Sequence, residues 1–207
     1  MFITFEGIEG SGKSEQARRL ADRLAREHIS VLHTREPGGT ALGDQLRELV
    51  LLRGELDTVA RAEALLMCTA RAQLVEQVIR PALERSLVVV CDRFADSTLA
   101  YQGFGRGLHI AGLKAVISFA TAGLSPDMTI LLDLPVEMGL ARKQAQPAVA
   151  WNRFEQEAEA FHERVRTGYQ TLAHDEPHRW RCFDALKEPE ELSEDIWRVV
   201  AAELRRT

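Results

Sequence analysis

The sequence has no apolar run long enough to cross a membrane, and its first residues lack the basic and apolar regions of a secretory signal peptide. It has only three cysteines, Cys68, Cys91 and Cys182, widely spaced and without a Cys-x-x-Cys pair. Disulfide and metal sites built from cysteine are therefore not expected. We predict a cytoplasmic protein with reduced thiols and no membrane partner.

An excess of basic charge is also missing. The chain carries 26 lysines and arginines against 31 acidic residues, a formal net charge of −5 at pH 7. General nucleic-acid binding needs a broad basic surface, so no nucleic-acid partner is expected, and an anionic ligand must be held by arginines gathered locally. There is no internal repeat, low-complexity tract or composition break, which predicts a single domain over residues 1–207.

What the sequence does contain is a phosphate-binding motif at residues 7–14. It has the spacing glycine, four residues, Gly-Lys-Ser, after an apolar run at 2–5 and before a helical pattern. Strand, glycine loop and helix distinguish a P-loop from an ordinary glycine-rich turn, because loop N–H groups and the helix N-terminus converge on one anion. The predicted ligands of a nucleoside triphosphate here are Gly7, Glu9, Gly10, Ser11, Gly12, Lys13 and Ser14. Lys13 is expected to reach the β- and γ-phosphates, and the Ser14 hydroxyl to ligate Mg²⁺.

Apolar segments alternate with helical patterns along the rest of the chain. We predict strands at 2–5, 30–33, 87–91, 128–133 and 181–183, a long helix over 58–80, a glycine-rich loop at 103–107 and a helix from Phe154 to Leu172. This order predicts an α/β fold, a parallel sheet with helices on both faces. Ligands of such sheets bind beyond the carboxyl ends of the strands, so the loops after residues 6, 34, 91, 133 and 184 should share one rim.

Asp92 and Arg93 directly follow the most apolar predicted strand. Beside a P-loop, a carboxylate there is positioned for the metal, so Asp92 is predicted to ligate Mg²⁺; a helix N-cap is a compatible alternative. Arg93 would lie beside the triphosphate, with a second phosphate or a surface salt bridge as its partner. The Asn-Lys-x-Asp motif of GTPases is absent. A small kinase acting on an already phosphorylated acceptor fits best.

Three strings of residues resemble one family. Asp92 to Gly103 (DRFADSTLAYQG), Arg35 to Thr40 (REPGGT) and Ala70 to Gln73 (ARAQ) are similar to bacterial thymidylate kinases, and the similarity runs from Phe2 to the terminal helix. The resemblance implies a P-loop NTPase fold in three layers, with a five-stranded parallel sheet and a short lid. It also implies phosphate transfer from ATP to dTMP, and a homodimer.

The same resemblance implies roles on the acceptor side. Arg93 would clamp the dTMP phosphate, Arg71 and Gln102 would read the thymine edge, and Tyr101 would pack against the sugar. Thymine offers an N3–H donor beside an O4 acceptor and an amide offers the opposite pair, whereas cytosine reverses the pattern. The other predicted dTMP ligands are Glu9, Glu36, Arg47, Met67 and Ser97. Met67 stands where the family usually stacks a phenylalanine on thymine.

Residues 142–153 correspond to the family's lid over ATP. Gly10 stands where one subgroup carries an arginine, so the resemblance implies that lid arginines supply the positive charge, Arg153 first and Arg142 second. The predicted catalytic residues are Lys13, Asp92, Arg93 and Arg153, which with Mg²⁺ would support direct in-line transfer. Two alternatives remain open at this stage. One is a P-loop kinase of a nucleoside or other metabolite hydroxyl; the other is a nucleotide-binding switch without substantial turnover.

Overall fold

The computed structural model describes residues 1–51, 58–145, 154 and 157–206. Its parallel strands form one five-stranded sheet in the order β2-β3-β1-β4-β5. The strands are β1 Phe2–Glu6, β2 Val31–Arg35, β3 Val88–Asp92, β4 Met128–Asp133 and β5 Trp180–Asp184. The five predicted strands are therefore confirmed, with ends that differ by up to two residues.

Helices connect consecutive strands, and a last helix follows β5. They are α1 Lys13–Arg26, α2 Ala41–Leu51, α3 Ala60–Leu74, α4 Arg80–Glu84, α5 Ala95–Thr98, α6 Ile110–Thr121, α7 Val136–Gln144, α8 Glu159–Asp175 and α9 Pro189–Leu204. Among the described residues, no helix combines the length and the apolar character needed to span a bilayer.

The predicted glycine-rich loop at 103–107 is wrong. Residues Leu99–Gly105 form a π-helical segment that continues directly from α5. Gly103 and Gly105 are needed there for close packing: a Cβ at Gly103 would collide with the Ile110 side chain, and one at Gly105 would lie 2.6 Å from the Phe161 ring. These glycines therefore mark contacts between helices, not a turn.

The predicted long helix is confirmed: it begins at Ala60, two residues after the predicted start, and passes through a π-helical turn, Val75–Ile79, into α4. The start of the next predicted helix is wrong. Phe154 lies in a turn, and α8 begins only at Glu159. Of the predicted lid, residues 142–144 belong to the end of α7, and residues 146–153 lie outside the described residues.

Both faces of the sheet are covered. Phe2, Val89 and Cys91 belong to a buried cluster with residues of α3 and α4, whereas Ile3 and Val90 belong to a second cluster with residues of α1. Successive strand residues point to opposite faces, so this division means that helices shield the sheet on each side. Polar side chains come together at the carboxyl ends of the strands.

Candidate active site

The carboxyl ends of the strands open into a cleft of about 1200 Å³. The predicted site residues that line it are Glu9, Gly10, Ser11, Gly12, Lys13, Ser14, Glu36, Arg47, Met67, Arg71, Asp92, Arg93, Ser97, Tyr101, Gln102 and Arg142. A pocket for one small ligand measures about 300–1,000 Å³, so this cleft has room for more than one such molecule. Gly7 does not line the cleft, and Arg153 lies outside the described residues.

Residues 7–12 form the loop between β1 and α1. Gly10 has φ 75°, and a Cβ there would collide with the backbone of Gly139 on α7, so only glycine fits. The Lys13 ammonium donates to the Ile8 carbonyl at 2.6 Å and to Ser11 Oγ at 3.3 Å. Burial and the charge of Arg93 lower the pKa of Lys13 to about 8. The loop thus holds a desolvated cation beside the N-terminus of α1.

Ser14 and Asp92 meet across the cleft, where the Ser14 hydroxyl donates to Asp92 Oδ2. The other oxygen, Oδ1, is buried and has no hydrogen-bond partner in the described part of the chain. An unsatisfied buried acceptor next to a hydroxyl fits a hard cation. No group of three or more His, Cys, Asp or Glu residues is placed to hold a metal within the described ranges. A cation here would therefore complete its coordination with phosphate and water, as Mg²⁺ commonly does.

Among the site cations that the structure describes, Arg93 has the most hydrogen-bond acceptors. Its φ of 68° lies in the left-handed region, which is uncommon for a residue with a side chain and is a form of strain found at functional sites. Its guanidinium donates to Gly7 O, Glu9 Oε1, Ser97 Oγ, Tyr101 OH and Tyr169 OH at distances of 2.9–3.2 Å. Gly7 thus contributes its carbonyl to positioning Arg93.

Glu9 supplies the negative charge beside Lys13 and Arg93. Its carboxylate accepts from Tyr101 OH at 2.7 and 2.6 Å, and His162 Nδ1 lies 3.7 Å from Oε2. Burial acts to raise the pKa of Glu9, but Arg93 and Lys13 outweigh it and the pKa lies below the ordinary value. A carboxylate held in this way is a poor proton acceptor.

Sequence reasoning missed Glu6 and Tyr169. Glu6 ends β1, is fully buried, and accepts from Phe94 N at 2.8 Å, Ser97 Oγ at 2.6 Å and Tyr169 OH at 3.0 Å. Burial and the nearby Asp96 raise the pKa of Glu6 to about 7. Glu6 therefore orients two hydroxyls that contact Arg93. Its place at the end of a central strand was a usable signal, whereas nothing local marks Tyr169 on α8.

Arg71 and Glu36 form a buried ion pair in the inner part of the cleft. Arg71 Nε donates to Glu36 Oε2 at 2.8 Å, Nη2 donates to the Phe94 carbonyl at 3.0 Å, and the guanidinium lies 5.4 Å from the centre of the Phe94 ring. Burial raises the pKa of Glu36 although Arg71 acts to lower it. Met67 and Gln102 line the same cleft, and Gln102 Nε2 donates to Glu63 Oε1 at 2.8 Å.

Two further arginines contact backbone carbonyls at the edges of the cleft. Arg47 donates to the Pro37 carbonyl at 3.0 Å, and burial together with Arg35 and Arg93 lowers its pKa. Arg142, the second choice for the lid arginine, donates to the Ala185 carbonyl at 2.8 Å, beyond the end of β5. Arg142 is therefore held at the rim by the loop between β5 and α9.

Comparisons with known proteins agree over nearly the full length. A family model described as "Thymidylate kinase" matches residues 5–196. A thymidylate kinase of Desulfovibrio desulfuricans is 51% identical over 212 residues, covering 100% of this chain and 97% of its own. One of Thermomicrobium roseum is 51% identical, covering 99% and 96%. The solved structure of thymidylate kinase from Ehrlichia chaffeensis has a TM-score of 0.79 at 30% identity, covering 97% of this chain and 98% of that one.

Proposed function

The chain belongs to the thymidylate kinase family of P-loop proteins, and we propose that it transfers the γ-phosphate of ATP to dTMP, giving ADP and dTDP. The observation that carries this function is the common cleft, which Lys13 and Arg93 both line. Lys13 belongs to a phosphate-binding loop, and Arg93 follows the neighbouring strand with its guanidinium fixed by five acceptors. Two cations on two adjacent strand ends suit two phosphates.

On the donor side, the loop from Glu9 to Ser14 cradles the triphosphate of ATP. Lys13 neutralises charge on the β- and γ-phosphates, and its burial in the loop, together with the charge of Arg93, lowers its pKa. Gly10 lets this loop pack against the backbone of Gly139 on α7, which a side chain would prevent. Arg142 lines the cleft at the ATP end, and Arg153 is proposed as the lid arginine over ATP, on a segment outside the described residues.

Ser14 and Asp92 are proposed to hold Mg²⁺. The partnerless Asp92 Oδ1 and the adjacent Ser14 hydroxyl supply hard oxygen ligands of the type this ion prefers. When bound, Mg²⁺ would neutralise charge on the phosphate oxygens. Removing the Ser14 hydroxyl should therefore raise the Mg²⁺ concentration needed for half-maximal rate.

On the acceptor side, Arg93 binds the phosphate of dTMP, and Arg47 and Ser97 add polar groups near it. Tyr101 lies beside the sugar, and Glu9 and Glu36 hold the neighbouring cations in place. Arg71 and Gln102 contact the thymine edge, while Met67 covers a face of the base through its polarizable side chain.

No strong base is required for this reaction. The second pKa of a phosphate monoester is about 6, so the attacking oxygen of dTMP carries negative charge at neutral pH. The cleft then has to hold two anions in line and neutralise them, which supports direct transfer without a covalent enzyme intermediate. A kinase of hydroxyl groups would instead need a basic carboxylate near the acceptor, and the lowered pKa of Glu9 argues against that residue as the base.

An ADP-release assay over a panel of acceptors tests the function. With Mg²⁺ and ATP fixed, we expect rapid ADP formation that depends on added dTMP and is far slower with thymidine or dCMP. Preference for thymidine over dTMP would support the hydroxyl kinase instead. ATP binding without acceptor-dependent ADP would support a nucleotide-binding switch.

Assembly and location complete the proposal. Residues 1–207 act as one domain with a lid at 142–153, in the cytoplasm, where the unpaired Cys68 and Cys91 stay reduced. A homodimer is proposed because large apolar side chains are exposed on α2, α3 and α6, including Leu42, Leu65 and Phe119, the last 89% exposed. Light scattering should give twice the chain mass, and Phe119→Lys should shift it towards the monomer. A monomeric parent protein would overturn the dimer proposal.

A further inference from the structure

Glu63 supports the amide of Gln102 from the protein interior. It lies in the first turn of α3 and is fully buried, whereas Gln102 lines the cleft with a side chain that is almost as buried. Gln102 Nε2 donates to Glu63 Oε1 at 2.8 Å. The inner end of the Gln102 amide is therefore fixed by a carboxylate that the substrate does not reach.

A glutamine amide alone cannot tell thymine from cytosine. One end is an acceptor oxygen and the other an NH₂ donor, and half a turn about the last side-chain bond exchanges them. In one orientation the amide complements the N3–H and O4 of thymine. In the other it complements N3 and the amino group of cytosine. Base selection by Gln102 therefore requires something that forbids the second orientation.

The Glu63 carboxylate can exclude the orientation of the Gln102 amide that complements cytosine. A carboxylate only accepts hydrogen bonds, so it must face the NH₂ end of Gln102. Arg106 holds Glu63 as an ion pair, with Nε 3.4 Å from Oε1 and Nη2 3.3 Å from Oε2. Arg106 is itself placed over the ring of Phe161, 4.7 Å from its centre. A turned amide would set two buried acceptors against each other with no proton between them.

We propose that Glu63 is a positioning residue that sets the base specificity of the enzyme. It holds the Gln102 amide in the orientation that leaves Oε1 and one N–H available to the base. This acceptor and donor match the N3–H and O4 of a 4-oxopyrimidine. They do not match a 4-aminopyrimidine, which offers N3 and an amino group. This inference rests on the proposed function, because it takes a pyrimidine monophosphate to be the acceptor.

The test compares three acceptors in Glu63→Gln. Glutamine at 63 can donate to Gln102 Oε1, so the turned amide becomes permitted. We expect the dTMP-to-dCMP ratio of kcat/KM to fall by at least about tenfold, since an unpaired buried polar group costs on the order of that factor or more. The dTMP-to-dUMP ratio should stay unchanged, because thymine and uracil share the same hydrogen-bonding edge. Glu63→Met, which removes the acceptor altogether, should lower the dTMP-to-dCMP ratio in the same direction.

A control variant and three contrary results separate this proposal from the alternatives. Glu76→Gln, an exposed exchange of the same kind on the π-helical turn after α3, should alter neither ratio. If Glu63 only supported the fold, both variants would lose activity equally with all three acceptors, which would overturn the proposal. An unchanged dTMP-to-dCMP ratio in both would also overturn it. Failure of the parent enzyme to use dTMP would refute the proposed function instead.

Discussion

Arg93 and Glu9 form an ion pair at the cleft, with Arg93 Nη2 2.9 Å from Glu9 Oε1 and side chains only 19% and 12% exposed. The guanidinium that we assign to the acceptor phosphate is therefore pre-oriented by a fixed carboxylate and by the hydroxyls of Tyr101 and Tyr169. Pre-orientation of this kind removes the cost of ordering a long side chain when the phosphate arrives.

Replacing Arg93 by lysine tests whether geometry, and not charge alone, matters. Lysine keeps the positive charge but loses the planar fork that reaches five acceptors. We expect kcat/KM for dTMP to fall by at least about a hundredfold, as for loss of a donor to a developing charge. Steady-state rates with saturating ATP measure it. Arg18→Lys, at an exposed surface arginine, is the matched control. Near-normal activity in Arg93→Lys would remove Arg93 from the phosphate site.

Lys13→Ala tests the assignment of the phosphate-binding loop. The variant loses the ammonium that the loop buries, so we expect ADP release to become undetectable while circular dichroism stays that of the parent. Lys114→Ala removes an exposed lysine of α6 and should retain full activity. Rates close to those of the parent protein in Lys13→Ala would exclude the loop as the site of transfer.

Met67→Phe tests how the base is covered. A planar ring stacked on thymine adds about 0.5–1.5 kcal/mol beyond area burial, so the KM for dTMP should fall by roughly two- to tenfold. The KM for ATP should not change, because Met67 is assigned to the acceptor pocket. A KM for dTMP that stays the same or increases would show that methionine already covers the base as well as a ring can.

The strands, and the edge of the sheet where the loops after them meet, were predictable because the residues that determine them are close together in the sequence. The apolar run before Asp92 and the glycine spacing of residues 7–14 each lie within a few positions of the chain. The contacts that position Arg93 are not local: Tyr169 reaches Ser97 and Glu6 from α8, 72 and 163 positions away along the chain. No periodicity in the sequence can indicate such a pairing.

The prediction of a loop at residues 103–107 failed for a related reason. Gly103 and Gly105 are turn residues by composition, and only the approach of Ile110 and Phe161 explains why glycine is required inside a helix. The π-helical segment places the neighbouring residues Tyr101 and Gln102 on the same cleft. π-Helical turns occur often at functional sites, but the sequence does not reveal where one forms.

Glu6 links the pH dependence of stability to this site. The folded protein raises the pKa of Glu6 to about 7, mainly through burial and next through Asp96. The protonated carboxyl is therefore favoured by folding. Its stabilising effect is present at low pH and is lost as pH rises from the ordinary carboxyl value through about 7.

Glu6→Gln should remove this pH dependence. The amide can still accept from Phe94 N and can donate to the oxygens of Ser97 and Tyr169, so the variant should fold. Between pH 5 and pH 8, the free energy of unfolding of the parent should fall by on the order of 2 kcal/mol more than that of Glu6→Gln. Urea unfolding at both pH values measures this difference, with Glu84→Gln as an exposed control. If the parent and Glu6→Gln change in parallel, Glu6 is ionised at both pH values in the folded protein, and a permanent negative charge lies behind Arg93.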